Sequence, residues 1–79
     1  MQELQGIYYH RPMKRLVYVM FEPVNCELRF ERITDKGIEG YHNSNVVSKF
    51  SLDKDFDLLY LCHLNNGDIV SLLYPELMI

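Results

Sequence analysis

The stretch Cys26-Glu27-Leu28-Arg29-Phe30-Glu31-Arg32-Ile33, followed by Thr34-Asp35-Lys36-Gly37, decides how this chain folds. Cys26, Leu28 and Phe30 alternate with Glu27, Arg29 and Glu31. Side chains point to opposite faces of a strand at successive residues, so this spacing predicts a half-buried strand with one apolar and one salt-laced face. Thr-Asp-Lys-Gly is turn chemistry and sends residues 38–41 back antiparallel. Upstream, Glu22-Pro23-Val24-Asn25 is a second turn, with Pro presetting one dihedral and Asn tolerating the left-handed region. Before it, Arg15-Leu16-Val17-Tyr18-Val19-Met20-Phe21 is too apolar for strict alternation and suits a strand covered on both faces. Gly6-Ile7-Tyr8-Tyr9-His10 is also β-prone, and Pro12 of Arg11-Pro12-Met13-Lys14 cannot donate to a central ladder. Residues 6–21 are therefore predicted as a first hairpin.

Downstream, Asn43 or Ser44 is suited to cap a short helix near residues 44–50, with Val46, Val47 and Phe50 inward and Ser48 and Lys49 outward. Two adjacent β-branched residues limit it to a turn or two. Residues 52–64 admit two readings. Asp53, Asp55 and Asp57 suit a helix N-terminus, with Asn65-Asn66-Gly67 as its C-terminal cap. Alternatively Asn66-Gly67 is a hairpin turn pairing residues 58–64 with residues 69–74. The hairpin is the reading adopted, because the second arm is β-prone and of matching length. Pro75 ends the last strand, and Glu76-Leu77-Met78-Ile79 is an apolar tail. The expected fold is all-β, or β-rich α+β: a single compact domain over residues 1–79. It is an antiparallel meander or small barrel of about six short strands with one short helix. The strand pattern resembles SH3-like barrels, a likeness of outline that implies no function.

A chain of 79 residues is one domain, and at this size folding removes only about 60% of the unfolded surface from water. Hydrophobic residues make up 48% of the sequence, with six Tyr and four Phe. That surplus fits either a crowded core or a partner or dimer surface. Two cysteines are too few for a disulfide scaffold, and Cys26 and Cys62 in apolar surroundings read as buried inert thiols. The start lacks the charged and apolar segments of a signal peptide, and no apolar run approaches the ~18 residues a bilayer span needs. The expectation is a complete, soluble, cytoplasmic protein without membrane association. The net charge of −3 is uneven: seven Lys/Arg against six Asp/Glu in residues 1–50, but Lys54 alone against five acids in residues 51–79. Such an imbalance can steer a partner but is unlike the basic footprint of a general nucleic-acid binder.

Catalytic and metal motifs fail on spacing. Cys62 and His63 are adjacent, so on a strand they point apart and cannot form a thiolate–imidazole pair. Asp53-Lys54-Asp55-Phe56-Asp57 opens like a calcium loop, but Leu58 stands where such a loop has Gly and Leu64 where it has Glu. The four glycines are dispersed, so no phosphate-cradling loop forms, and no cofactor is expected. One constellation carries weight: Tyr8-Tyr9-His10-Arg11-Pro12-Met13-Lys14-Arg15, which crowds cations and aromatic rings at one hairpin tip. Tyr with Arg is the chemistry of protein interface hot spots, and equally of stacking on bases and pairing with phosphate. Tyr41-His42-Asn43-Ser44-Asn45 is a second, polar candidate surface.

The leading expectation is a small non-enzymatic interaction protein that binds a macromolecular partner, most simply a protein. Inhibitors and accessory factors of phages and other mobile elements have this profile. Tyr9, Arg11, Lys14 and Arg15 would supply contacts, with Asp53, Asp55 and Asp57 as a second face. The alternative is a binder of nucleic acid or a small phosphate-bearing ligand through the tip at residues 8–15. Homodimerisation through an edge strand or the apolar tail is a separate expectation.

Overall fold

A computed structural model describes residues 2–38, 45–63 and 66–73. The chain is a β-rich antiparallel fold, with six strands among the described residues, as the sequence predicts. The first hairpin pairs β1 (Gly6–His10) with β2 (Arg15–Glu22) in continuous register from Gly6 opposite Val19 to His10 opposite Arg15. β2 then pairs with β3 (Glu27–Thr34). The β2–β3 turn is held by the Glu22 carboxylate, which accepts from the backbone N–H groups of Val24 and Asn25 at 2.8 Å each. Cys26 closes this turn at φ 52° and is exposed, so it belongs to the turn and not to the buried face of β3. Its expected burial fails because the left-handed backbone there takes it out of the strand alternation.

β4 (Gly37–Ile38) returns against Ile33 and Thr34. Gly37 adopts φ 112°, a conformation glycine reaches without a Cβ penalty. The remainder of the return strand expected at residues 38–41 lies outside the described residues, as do Asn43 and Ser44. β5 (Asn45–Val47) pairs with residues 28–30 of β3, so Val46 and Val47 are strand and not helix. Their β-branched side chains favour a pleated backbone beside a strand that offers a free edge. The predicted helix exists but starts later, as α1 (Lys49–Asp55). It is capped by Ser48, whose hydroxyl accepts from the Ser51 N–H at 3.1 Å, and braced by Lys49 with Asp53 one turn on. Of the three residues expected on its inner face, Val47 is buried, whereas Val46 and Phe50 are exposed.

β6 (Phe56–Leu61) pairs antiparallel with β1, not with residues 69–74. Those residues belong instead to α2 (Asn66–Leu73), and the adopted Asn66-Gly67 hairpin does not form. Ile69 and Leu73, four residues apart and so on one helical face, both pack into one apolar cluster. Asp68 in the first turn complements the helix dipole. The hairpin lost because β1, already paired to β2, offers residues 56–61 a formed edge.

The strand order is β4-β3-β2-β1-β6, with β5 beside β3. Among the described residues two cores flank the sheet. One gathers Tyr8, Val17, Val19, Leu28, Val47, Leu52 and Phe56, with Leu52 supplied by α1. The other gathers Ile7, Tyr18, Ile33 and Ile69, with Ile69 supplied by α2. Covering both faces explains the unbroken apolar run of β2, where Val17, Tyr18 and Val19 are all buried. It also corrects the reading of β3 as wet on one side. Glu27 and Arg29 do pair at 3.0 Å, but Glu31, across from Tyr18, is buried. The sheet does not close into a barrel: among the described residues nothing pairs with the outer edge of β6. No helix among them is long and apolar enough to cross a membrane.

Candidate functional site: the outer edge of β6

β6 is fastened to β1 at both ends. At its start the Arg11 N–H donates to the Asp55 carbonyl at 3.0 Å, and the Arg11 guanidinium donates to the Asp57 carboxylate at 3.1 Å. At its end the Cys62 N–H donates to the Gln5 carbonyl at 3.1 Å, and the Tyr18 hydroxyl donates to the Cys62 carbonyl at 3.1 Å. The Gln5 side chain completes this network, donating to the Tyr18 hydroxyl at 3.0 Å and accepting from the Phe21 N–H at 3.1 Å. Between the two anchors the register shifts opposite Ile7 and Tyr8, leaving Leu59 as the extra residue of a bulge.

The strand so held is apolar on its open side. Leu58, Leu59, Tyr60 and Leu61 stand in succession, each 50–56% exposed. Leu72 of α2 is exposed nearby, and a shallow cleft of about 350 Å³ runs between Tyr60 and the α2 residues Asp68, Ser71 and Leu72. Along a free strand edge every second residue turns its N–H and C=O outward, where only water or another strand can pair them. Natural edge strands are usually blunted by Lys, Pro, inward charge or a bulge. Leu58-Leu59-Tyr60-Leu61 carries no Lys, Pro or inward charge, and of these devices has the bulge at Leu59 alone.

Of the residues expected to bind, Arg11 of the basic tip and Asp57 of the acidic strip are in contact. Arg11, Lys14 and Arg15 sit at the β1–β2 tip, which abuts Asp55 and Asp57. Arg11 is engaged by Asp57, and Asp53 by Lys49 at 2.8 and 2.9 Å. Lys14 is exposed in the turn at φ 54°, its N–H donating to the Arg11 carbonyl at 3.2 Å. Arg15 opens β2 across from His10, and Tyr9 lies half-buried between Leu16 and Asp57 in register. The basic tip and the acidic strip thus meet in one seam at Arg11 and Asp57, and three of these residues, Arg11, Asp53 and Asp57, have ion-pair partners within the chain. The polar loop at residues 41–45 lies almost wholly outside the described residues. The apolar edge of β6 was missed because the hairpin reading supplied it with a partner in residues 69–74. The signal present in the sequence is a run of four apolar residues with no alternation.

Beneath the seam His10 is buried, stacked on Phe56 at 4.3 Å between ring centroids and tilted against Phe30 at 5.1 Å. Its Nδ1 has no hydrogen-bond partner among the described residues. Burial holds the imidazole below its ordinary pKa of 6.5, with Asp55 pulling weakly the other way. The unfolded chain therefore takes up a proton before the folded one does. Stability should be full above about pH 6.5 and fall as pH drops through the window between the unfolded and folded pKa values. Urea midpoints on either side of that window should show the loss, and His10→Phe should flatten it. An unchanged slope in His10→Phe would remove His10 as its source. Burial also pushes the Cys62 thiol up, away from the thiolate a nucleophile needs. Among the described residues no group of three or more His, Cys, Asp or Glu side chains could hold a metal ion. Comparisons with protein family models, curated proteins and solved structures return no match to this chain.

Proposed function

We propose that this chain is a non-enzymatic interaction protein that takes an extended segment of a protein partner along the outer edge of β6. The observation that supports the reading is the row Leu58-Leu59-Tyr60-Leu61, half-exposed on an edge anchored at both ends. An added strand would satisfy the outward N–H and C=O groups, and its side chains would cover the leucines and enter the cleft beside Tyr60. Covering the exposed half of one leucine stabilises the complex by roughly 1 kcal/mol. An edge already held in place orders little on binding, which limits the entropic cost. An inhibitor or accessory factor that occupies a surface on a larger protein acts in this way.

The test is capture of a partner from host lysate by the wild-type chain and two variants. Leu59→Lys, which puts a charge on the edge at an exposed position, should abolish capture with far-UV circular dichroism unchanged. Hydrogen exchange in the complex should slow at β6 amides. Joint reversal of Lys14 and Arg15 to Glu, which leaves the Arg11–Asp57 pair in place, should leave capture largely intact. The opposite pattern, loss on reversal of the tip with steep salt sensitivity and retention in Leu59→Lys, would favour the phosphate-binding alternative at residues 8–15 and sink the β6 reading.

A further inference from the structure

We infer that in the absence of another partner the edge of β6 pairs with β6 of a second copy, joining two sheets antiparallel across a two-fold axis. The inference rests on the reading of β6 as a docking edge and names an occupant that the strand itself is shaped to accept. Two-fold pairing of a strand with itself sets every residue opposite another of the same segment, so the segment must be self-complementary. A register centred between Leu58 and Leu59 sets Asp57 across from Tyr60, and one centred on Leu59 sets it across from Leu61. In neither does Asp57 face its own copy, and like charges directly opposite would be destabilising. The remaining pairs are leucine or aromatic residues on leucine or aromatic residues.

Charge supports the same occupant. Asp57, the single ionisable group of β6 besides the Tyr60 phenol, is already matched by Arg11 within its own chain. The edge therefore approaches its copy without an unmatched charge. On the opposite side of the sheet the far edge of β3 is taken by the short strands β4 and β5, of two and three residues, so among the described residues β6 is the longest strand with an open edge. The bulge at Leu59 increases local twist and confines the new ladder to a short run. The outward leucines, with Tyr60 and Leu72 on the α2 side, supply the rest of the contact. A small domain with limited burial of its own gains the most from such sharing.

The experiment is light scattering on the full chain after size exclusion, across the micromolar range, with hydrogen exchange at high and low concentration. The wild type should run at twice the 9.4 kDa chain mass at the upper end. Its β6 amides should exchange more slowly as concentration rises. Leu59→Lys and Tyr60→Lys should each return the mass to that of one chain with far-UV circular dichroism unchanged. Val24→Lys, at an 87% exposed position on the β2–β3 turn, should leave the dimer intact. A monomeric wild type at every concentration overturns the inference, as does a dimer insensitive to both β6 variants or equally sensitive to Val24→Lys. The two readings fail separately. A monomer that captures a partner through β6 removes the dimer and keeps the docking edge. A dimer broken by the β6 variants, with no partner captured by any form, does the reverse.

Discussion

Ile69→Ala should destabilise the fold by about 2–5 kcal/mol, the range for removing a large aliphatic side chain from a packed core. Ile69 is fully buried against Ile7, Tyr18 and Ile33, and it is the buried residue of α2 in that cluster. At roughly 0.05–0.15 kcal/mol per residue, a chain of this length has about 4–12 kcal/mol in total, so the loss is a large share. Because Ile69, with Leu73 beside it, holds α2 to the sheet, the effect should exceed the transfer of three methyl or methylene groups by the cavity left under the helix. A urea titration followed by circular dichroism reads the change, and Leu72→Ala, at a half-exposed position on the same helix, should cost under about 0.5 kcal/mol. Equal, small effects at both positions would mean that α2 does not dock through this face.

Gly6→Val should be the other severe substitution. A Cβ at Gly6 would lie 2.8 Å from the Leu61 Cα and press against the Tyr60 carbonyl. Both obstacles are backbone, so no side chain can rotate away and the end of β6 must move off β1. Overpacking of this kind costs about 1–3 kcal/mol, and the rigidity of the obstacle places this site at the upper end. Gly6→Ala should act in the same direction with a smaller displacement. The distinguishing readout is local: hydrogen exchange should accelerate in β6 more than in β2 or β3, and both binding and dimer formation should weaken with it. Wild-type stability and protection in Gly6→Val would show that β1 and β6 do not share this register.

Both substitutions act on pairings of residues distant in the chain, and these are what the sequence left undecided. The β1–β2 hairpin was legible because Pro12 excludes a central ladder position and apolar runs flank it. β3 was legible because Leu28 and Phe30 alternate with Arg29 and Glu31. The turn at Thr34 was legible because Gly37 has no Cβ to forbid its backbone. Each of these signals is local. The binding site fared differently. The basic tip and the acidic strip were found as residues, but the ion pair between Arg11 and Asp57 depends on β6 lying beside β1.

By itself the sequence determined a β-rich antiparallel fold, the first two turns and the two-sided burial of β2, because these follow from side-chain alternation and turn stereochemistry within a few residues. The tertiary structure decided that Asn66-Gly67 opens a helix and not a hairpin, that Val46 and Val47 extend β3 sideways, and that residues 58–61 form an edge left open among the described residues. Local preferences for helix and strand differ by a fraction of a kcal/mol per residue, whereas docking on a formed strand edge or burying Ile69 contributes several times that.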